Sequence, residues 1–159
     1  NLGDSQASKL HAIEHDYRHQ NIKSRRNVEV TAVCGSLESE IIELEPIEAR
    51  EYRTDYGFSE PGLDRLIQAT YSLLGLMSFL TAGEKEVRAW TIPRDSTATK
   101  AARAIHSDFE KKFIRAEVIN WKNLVEHGGY VEARKLGMLR LEGKTYVVQD
   151  GDVLVIRHG

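Results

Sequence analysis

Between Glu86 and Ile156 the apolar residues change their spacing several times, and the order of those changes admits few folds. Val87-Arg88-Ala89-Trp90-Thr91-Ile92 alternates as a strand does and stops at Pro93, which has no amide hydrogen to give to a ladder. From Thr97 to Phe113 the apolar residues Ala101, Ala104, Ile105, Phe109 and Phe113 recur at helical spacing. Ile114 to Ile119 alternates again. Short helices are predicted over Trp121–His127 and Tyr130–Leu136, split by Gly128-Gly129. Leu139–Leu141 and Thr145–Val148 flank Glu142-Gly143-Lys144 as a hairpin, and Asp150-Gly151 is a second hairpin turn before Val153–Ile156. Strand, helix, strand, short helices and three further strands place one helix over a small mixed sheet, which is a β-grasp (ubiquitin-like) arrangement.

The first half reads differently. Ala7–Gln20 is a polar helix, and Val28–Val33 is rich in β-branched residues, as in a buried strand. Cys34-Gly35-Ser36 is a tight turn from which an acidic helix starts, with Ile41, Ile42, Leu44 and Ile47 as its apolar side. Strand, glycine turn and helix make one βα unit. Gly57–Gly62 breaks the chain, and a helix is predicted from Leu63 to Phe79 with Leu63, Leu66, Ile67, Tyr71, Leu74 and Met77 on one side, ended by Thr81-Ala82-Gly83. Two α/β parts are expected, residues 1–80 and 81–159. Each core is small enough for the parts to need each other or further sequence for stability.

A net charge of −2 conceals an asymmetry. Residues 36–68 carry nine acids against three bases; residues 84–115 carry eight bases against five acids. The bases are Lys85, Arg88, Arg94, Lys100, Arg103, Lys111, Lys112 and Arg115, and they predict either a basic docking surface or ordinary solvated faces. Cys34 is the only cysteine, so no intrachain disulfide forms and a reducing compartment is the default. The most apolar stretch, Tyr71 to Ala82, is too short to span a membrane. No signal peptide is visible, and an opening without methionine suggests a fragment or a processed chain.

Several short patterns could carry chemistry. Gly143-Lys144-Thr145 resembles the end of a phosphate-binding loop, but that motif needs a glycine five residues earlier, where Met138 stands, and must open a helix. It is therefore read as a hairpin turn. His11, His15 and His19 share a helix face, yet without cysteine or a fixed carboxylate no metal site is assigned. His106 and Glu110 share a helix face, but neither the cleft nor the positioned partner that acid–base work needs is evident from the sequence, so no catalytic residue is assigned there. Cys34 has no neighbouring base to activate it as a nucleophile. With aromatic residues at 8%, no stacking platform for bases is predicted. Asn1-Leu2-Gly3-Asp4 pairs an amide with a carboxylate in a way that suits the edge of a purine or a simple terminal turn, and Cys34-Gly35-Ser36 could close over such a base.

Three longer stretches are more specific. Phe79–Pro93, Ile105–Ile119 and Leu141–Val153 closely resemble the C-terminal region of the YchF/Obg-like ATPase family. Glu60-Pro61-Gly62-Leu63 is similar to the link into that region, and the likeness continues more weakly through Val33-Cys34 and Glu40–Leu44. The resemblance implies a TGS domain of β-grasp fold over residues 81–159. It makes residues 1–80 the end of an incomplete P-loop nucleotide domain with linking helices.

The resemblance further implies a cytoplasmic, translation-associated parent that hydrolyses ATP, with weaker use of GTP, using magnesium, and that docks on the ribosome (its large subunit) or on RNA. It puts Asn1, Leu2 and Asp4 on the base-specificity motif and Cys34, Gly35 and Ser36 in the last nucleotide loop. Asp4 replaces the usual glutamate of that motif, which leaves the choice between adenine and guanine open. Arg94-Asp95-Ser96-Thr97-Ala98-Thr99-Lys100 departs from a loop in which the family carries glycine and proline, and Lys112 stands where it usually has glycine. The P-loop and magnesium ligands would precede Asn1, so this chain by itself is expected to bind rather than catalyse, with no nucleotide held tightly. A stand-alone regulatory module that senses a ligand or RNA and a protein scaffold using Glu38–Glu51 are the other readings.

Overall fold

The structure is a computed structural model that describes residues 9–21, 28–57 and 60–159. It divides into two compact units, Asn1–Leu74 and Gly75–Gly159.

The first unit holds helices α1 (Leu10–Asn21), α2 (Gly35–Ile42), α3 (Pro46–Asp55) and α4 (Gly62–Leu74). The acidic segment predicted as one helix is two. Pro46 opens the second at a position where a missing amide hydrogen leaves nothing unsatisfied. The break reorients the apolar residues. Leu37, Ile41 and Ala49 join Leu10, Ala32 and Cys34 in the core, whereas Ile42 and Ile47 are exposed. Val28–Val33 is extended but pairs with no strand among the described residues, which corrects the expected βα unit. Side chains serve the backbone there instead: the Ala32 amide donates to Glu14 Oε1 at 2.6 Å, and Arg65 Nη1 donates to the Ala32 carbonyl at 3.1 Å.

The second unit holds β1 (Leu76–Ala82), β2 (Val87–Pro93), α5 (Ala98–Ile105), α6 (Ser107–Lys111), β3 (Phe113–Asn120), α7 (Trp121–Glu126), α8 (Tyr130–Lys135), β4 (Arg140–Glu142) and β5 (Asp152–His158). Its five-stranded sheet runs β2-β1-β5-β3-β4, with β1 and β5 parallel and the other neighbours antiparallel. One helix, α5, lies on one face through Ala98, Ala101 and Ala102, whose small side chains let it approach Met77, Phe79, Ile92, Ala116, Val118 and Leu154. This is the mixed β-grasp sheet expected from the order of elements. Helices α7 and α8 cover part of the other face, where Leu124, Tyr130 and Ala133 pack on Ile119 and Val153.

Three differences from the sequence reading have physical causes. The helix expected to reach Phe79 ends at Leu74, because Gly75 takes φ +64 and turns the chain into β1. The apolar run after it suits a buried strand or a buried helix equally, so its spacing did not separate the two. The two units accordingly meet at Leu74–Gly75, ahead of residue 80. The helix expected over 97–113 breaks at His106, whose φ −161 and ψ 141 are those of a strand. Thr145–Val148 forms one bridge, Thr97 to Val147, rather than a strand. The buried Asp152 carboxylate holds that segment, accepting from the Tyr146 hydroxyl at 2.7 Å and the Gln149 amide at 2.8 Å. Burial and then this hydrogen bond push the Tyr146 phenol up to about 12, so it remains a donor.

Candidate functional site

In the first unit the extended segment delivers Cys34 to the N-terminus of α2. Cys34 is buried, and its carbonyl accepts from the Glu38 amide at 2.9 Å to start the helix. Its Sγ lies 3.5 Å from Ser36 Oγ, and the Gly35 carbonyl accepts from Ser39 Oγ at 2.8 Å. The loop is thus braced from within. Glu38 fixes it to α4: its Oε1 accepts from the Gly62 amide at 2.8 Å. A Cβ at Gly62 would lie 2.9 Å from that oxygen and 3.0 Å from Val33 Cγ1, so a side chain there would push the Glu38 carboxylate aside. Asn1, Leu2 and Asp4, the other predicted base contacts, lie outside the described residues.

In the second unit all eight predicted basic residues are exposed, but they do not share one surface. Lys100 and Arg103 stand on α5, and Lys111 and Lys112 at the end of α6. Arg88 is on the α5 side of edge strand β2, 4.3 Å above the Trp90 ring. Lys85 is in the β1–β2 turn, and Arg94 follows β2, its amide donating to the Gly75 carbonyl at 2.8 Å. Arg115 is on the opposite face of the sheet, in phase with Glu117 along β3.

Two cations absent from the predicted set converge there. Arg157 Nη2 donates to Glu117 Oε1 at 2.9 Å and Arg134 Nη2 to Oε2 at 3.0 Å. The Arg157 hydrogen bond, opposed by burial and aided by Arg134, holds the Glu117 carboxyl below the ordinary carboxylate range. Residues 117, 134 and 157 are too far apart in sequence for spacing to reveal the cluster.

Gly143-Lys144-Thr145 lies in a turn after β4 and opens no helix, so its amides do not form the phosphate cradle of a P-loop. Among the described residues no three His, Cys, Asp or Glu side chains come together to hold a metal ion, the α1 histidines included. No helix among them is long and apolar enough to cross a membrane.

A concave region does form where α5, α6 and the end of β5 meet. It is a shallow, largely open cleft of about 460 Å³ lined by Ile105, His106, Asp108, Phe109, Lys112 and His158. The Phe109 and His158 rings stack at 4.3 Å between centroids with 20° between planes. The two rings lie on α6 and β5, so local spacing does not reveal their contact.

One unit is thus helical with a braced glycine loop, and the other is a β-grasp sheet that carries exposed cations. The chain belongs to the YchF-GTPase_C family, described as "Protein of unknown function (DUF933)", whose model matches residues 76–159. It is 51% identical over 140 residues to "Ribosome-binding ATPase YchF" of Pasteurella multocida, a match covering 88% of this chain and 39% of that protein. It is 53% identical over 131 residues to the protein of the same name from Bacillus subtilis, covering 82% and 36%. The chain therefore spans about two fifths of the length of these relatives. Among solved structures it is similar to the Schizosaccharomyces pombe YchF GTPase, with a TM-score of 0.75 and 25% identity over 99% of this chain and 42% of that one.

Proposed function

We propose that this chain is the C-terminal portion of a ribosome-binding ATPase, and that it binds rather than hydrolyses. The observation that carries the reading is the 51% identity to a relative named for both properties, of which the chain matches 39%. Residues 75–159 act as a TGS domain that docks on ribosomal RNA or protein in the cytoplasm. The exposed cations of α5 and α6 supply the long-range attraction to phosphates.

In the same reading the loop Cys34-Gly35-Ser36, braced by Ser39 and Glu38, forms the base side of a purine nucleotide pocket completed by Asn1, Leu2 and Asp4. The triphosphate and magnesium are held by the part of the longer protein that this chain does not match. Gripping phosphates takes a glycine-rich loop opening a helix and a lysine aimed at the β- and γ-phosphates, and Gly143-Lys144-Thr145 offers neither in its turn.

Sedimentation with ribosomes through a sucrose cushion at graded salt tests the reading. The chain should pellet at low salt, leave the ribosome steeply as salt rises, and show no ATP turnover. Charge reversal at Lys100 and Arg103 should release it at lower salt. A flat salt profile with tight binding of a small ligand would favour a sensing module instead, and appreciable turnover would overturn the binding-only reading.

A further inference from the structure

The geometry points to the cleft between α5, α6 and the end of β5 as a site for a nucleotide unit, its base stacked on His158 and its phosphate on Lys112. Phe109, half-buried, forms the inner layer of a stack, and His158, exposed, forms the outer one. A planar base laid on the open face of His158 would continue that stack as a third ring. Stacking of this kind accepts any base, because each has a π face.

The polar groups of the cleft suit the rest of a nucleotide. Lys112 enters none of the ion pairs found among the described residues, whereas Arg103 on α5 is 3.5 Å from Glu110. The Lys112 carbonyl accepts from the Gly159 amide at 3.1 Å, which ties the backbone of Lys112 to the residue after His158, and the Lys112 and His158 side chains both line the site. His106 Nδ1 accepts from the Asp108 amide at 3.2 Å, so in the neutral ring the proton sits on Nε2, which is left to donate. Its 3.8 Å separation from the Asp108 carboxylate is too long for a hydrogen bond. Asp108 contributes an acceptor suited to a base amino or imino group. Cation, N–H donor, carboxylate acceptor and aromatic platform thus stand within one cleft.

An unpaired residue of RNA and a free nucleotide present the same chemistry here. The RNA source rests on the docking function proposed above; the free nucleotide does not. The test uses the full chain with a fluorescein-labelled oligoadenylate and, separately, AMP. His158→Ala should weaken oligoadenylate binding about tenfold, the loss of one stacked base, while His158→Phe retains it. Lys112→Gln should reduce the steepness of the salt dependence by about 0.7 in log–log slope, one phosphate contact on a single strand. Unchanged thermal melts would show that these exposed substitutions leave the fold intact. The site is overturned if His158→Ala and Lys112→Gln bind as tightly as the parent, or if neither oligoadenylate nor AMP binds. If AMP alone binds and His158→Ala abolishes it, the cleft stands as a free-nucleotide site. Ribosome sedimentation then decides the docking function independently.

Discussion

Glu14 and Arg65 form an ion pair, both largely buried, whose two members also take up the amide and the carbonyl of Ala32. A carboxylate on α1 and a guanidinium on α4 do for an extended segment what a neighbouring strand would do. The pair therefore ties both helices to the segment that carries Cys34. Truncating Arg65 to Met leaves the Ala32 carbonyl and the Glu14 carboxylate short of a donor. The expected loss is about 1.5–3 kcal/mol, in the range for hydrogen bonds to charged groups. Denaturant unfolding of Glu14→Gln, Arg65→Met and the double variant should show strong coupling; additive losses would mean that the two act separately.

Gly151 meets Trp121 more closely than any other residue type could. A Cβ there would lie 2.7 Å from Trp121 Cδ1, and φ is +79. The residue also links β1 to the start of α7, its amide donating to the Ser78 carbonyl at 2.9 Å and its carbonyl accepting from the Trp121 amide at 3.0 Å. Gly151→Ala should cost about 2–3 kcal/mol through combined overpacking and left-handed strain. Adding Trp121→Ala should recover part of that loss, since it removes the clash and leaves the dihedral strain. No recovery would assign the whole effect to the backbone.

Asp95 is the one non-glycine residue with positive φ among the described residues, at +61, in the loop between β2 and α5. An L side chain in that conformation costs about 1 kcal/mol, and glycine removes the penalty. Asp95→Gly should therefore raise the melting temperature by a few degrees. A drop would indicate that the carboxylate makes a stabilising contact outweighing the strain.

Glu117 gives a pH dependence of defined sign. Its carboxyl is held below the ordinary value of 4.5 in the folded chain. Its contribution is therefore fully present above that pH and is lost as pH falls through the lower folded value. Glu117→Gln should be less stable than the parent at neutral pH, and the two should converge as acid is added. A difference that persists unchanged into acid would show that Arg134 and Arg157 are not stabilised by the carboxylate charge.

The β-grasp character was legible because its elements punctuate themselves. Pro93 ends β2, the glycine pair at 128–129 separates α7 from α8, alternation marks β3, and Asp150-Gly151 precedes β5. Strand β1 was not legible, since Leu76–Ala82 is an apolar run adjoining an apolar helix and only the φ of Gly75 divides them. The break at His106 was equally hidden, because the residues on either side keep helical spacing while the backbone leaves the helix for one residue.

The linear order of residues determined the succession of strands and helices, the distribution of charge and the inability of Gly143-Lys144-Thr145 to open a helix. Only the tertiary structure decided which distant groups meet: Glu14 with Arg65, Glu117 with Arg134 and Arg157, Phe109 with His158. Periodicity is a local property, set by backbone geometry over a few residues. Side chains tens of residues apart are brought together by packing, whose distances no local spacing encodes.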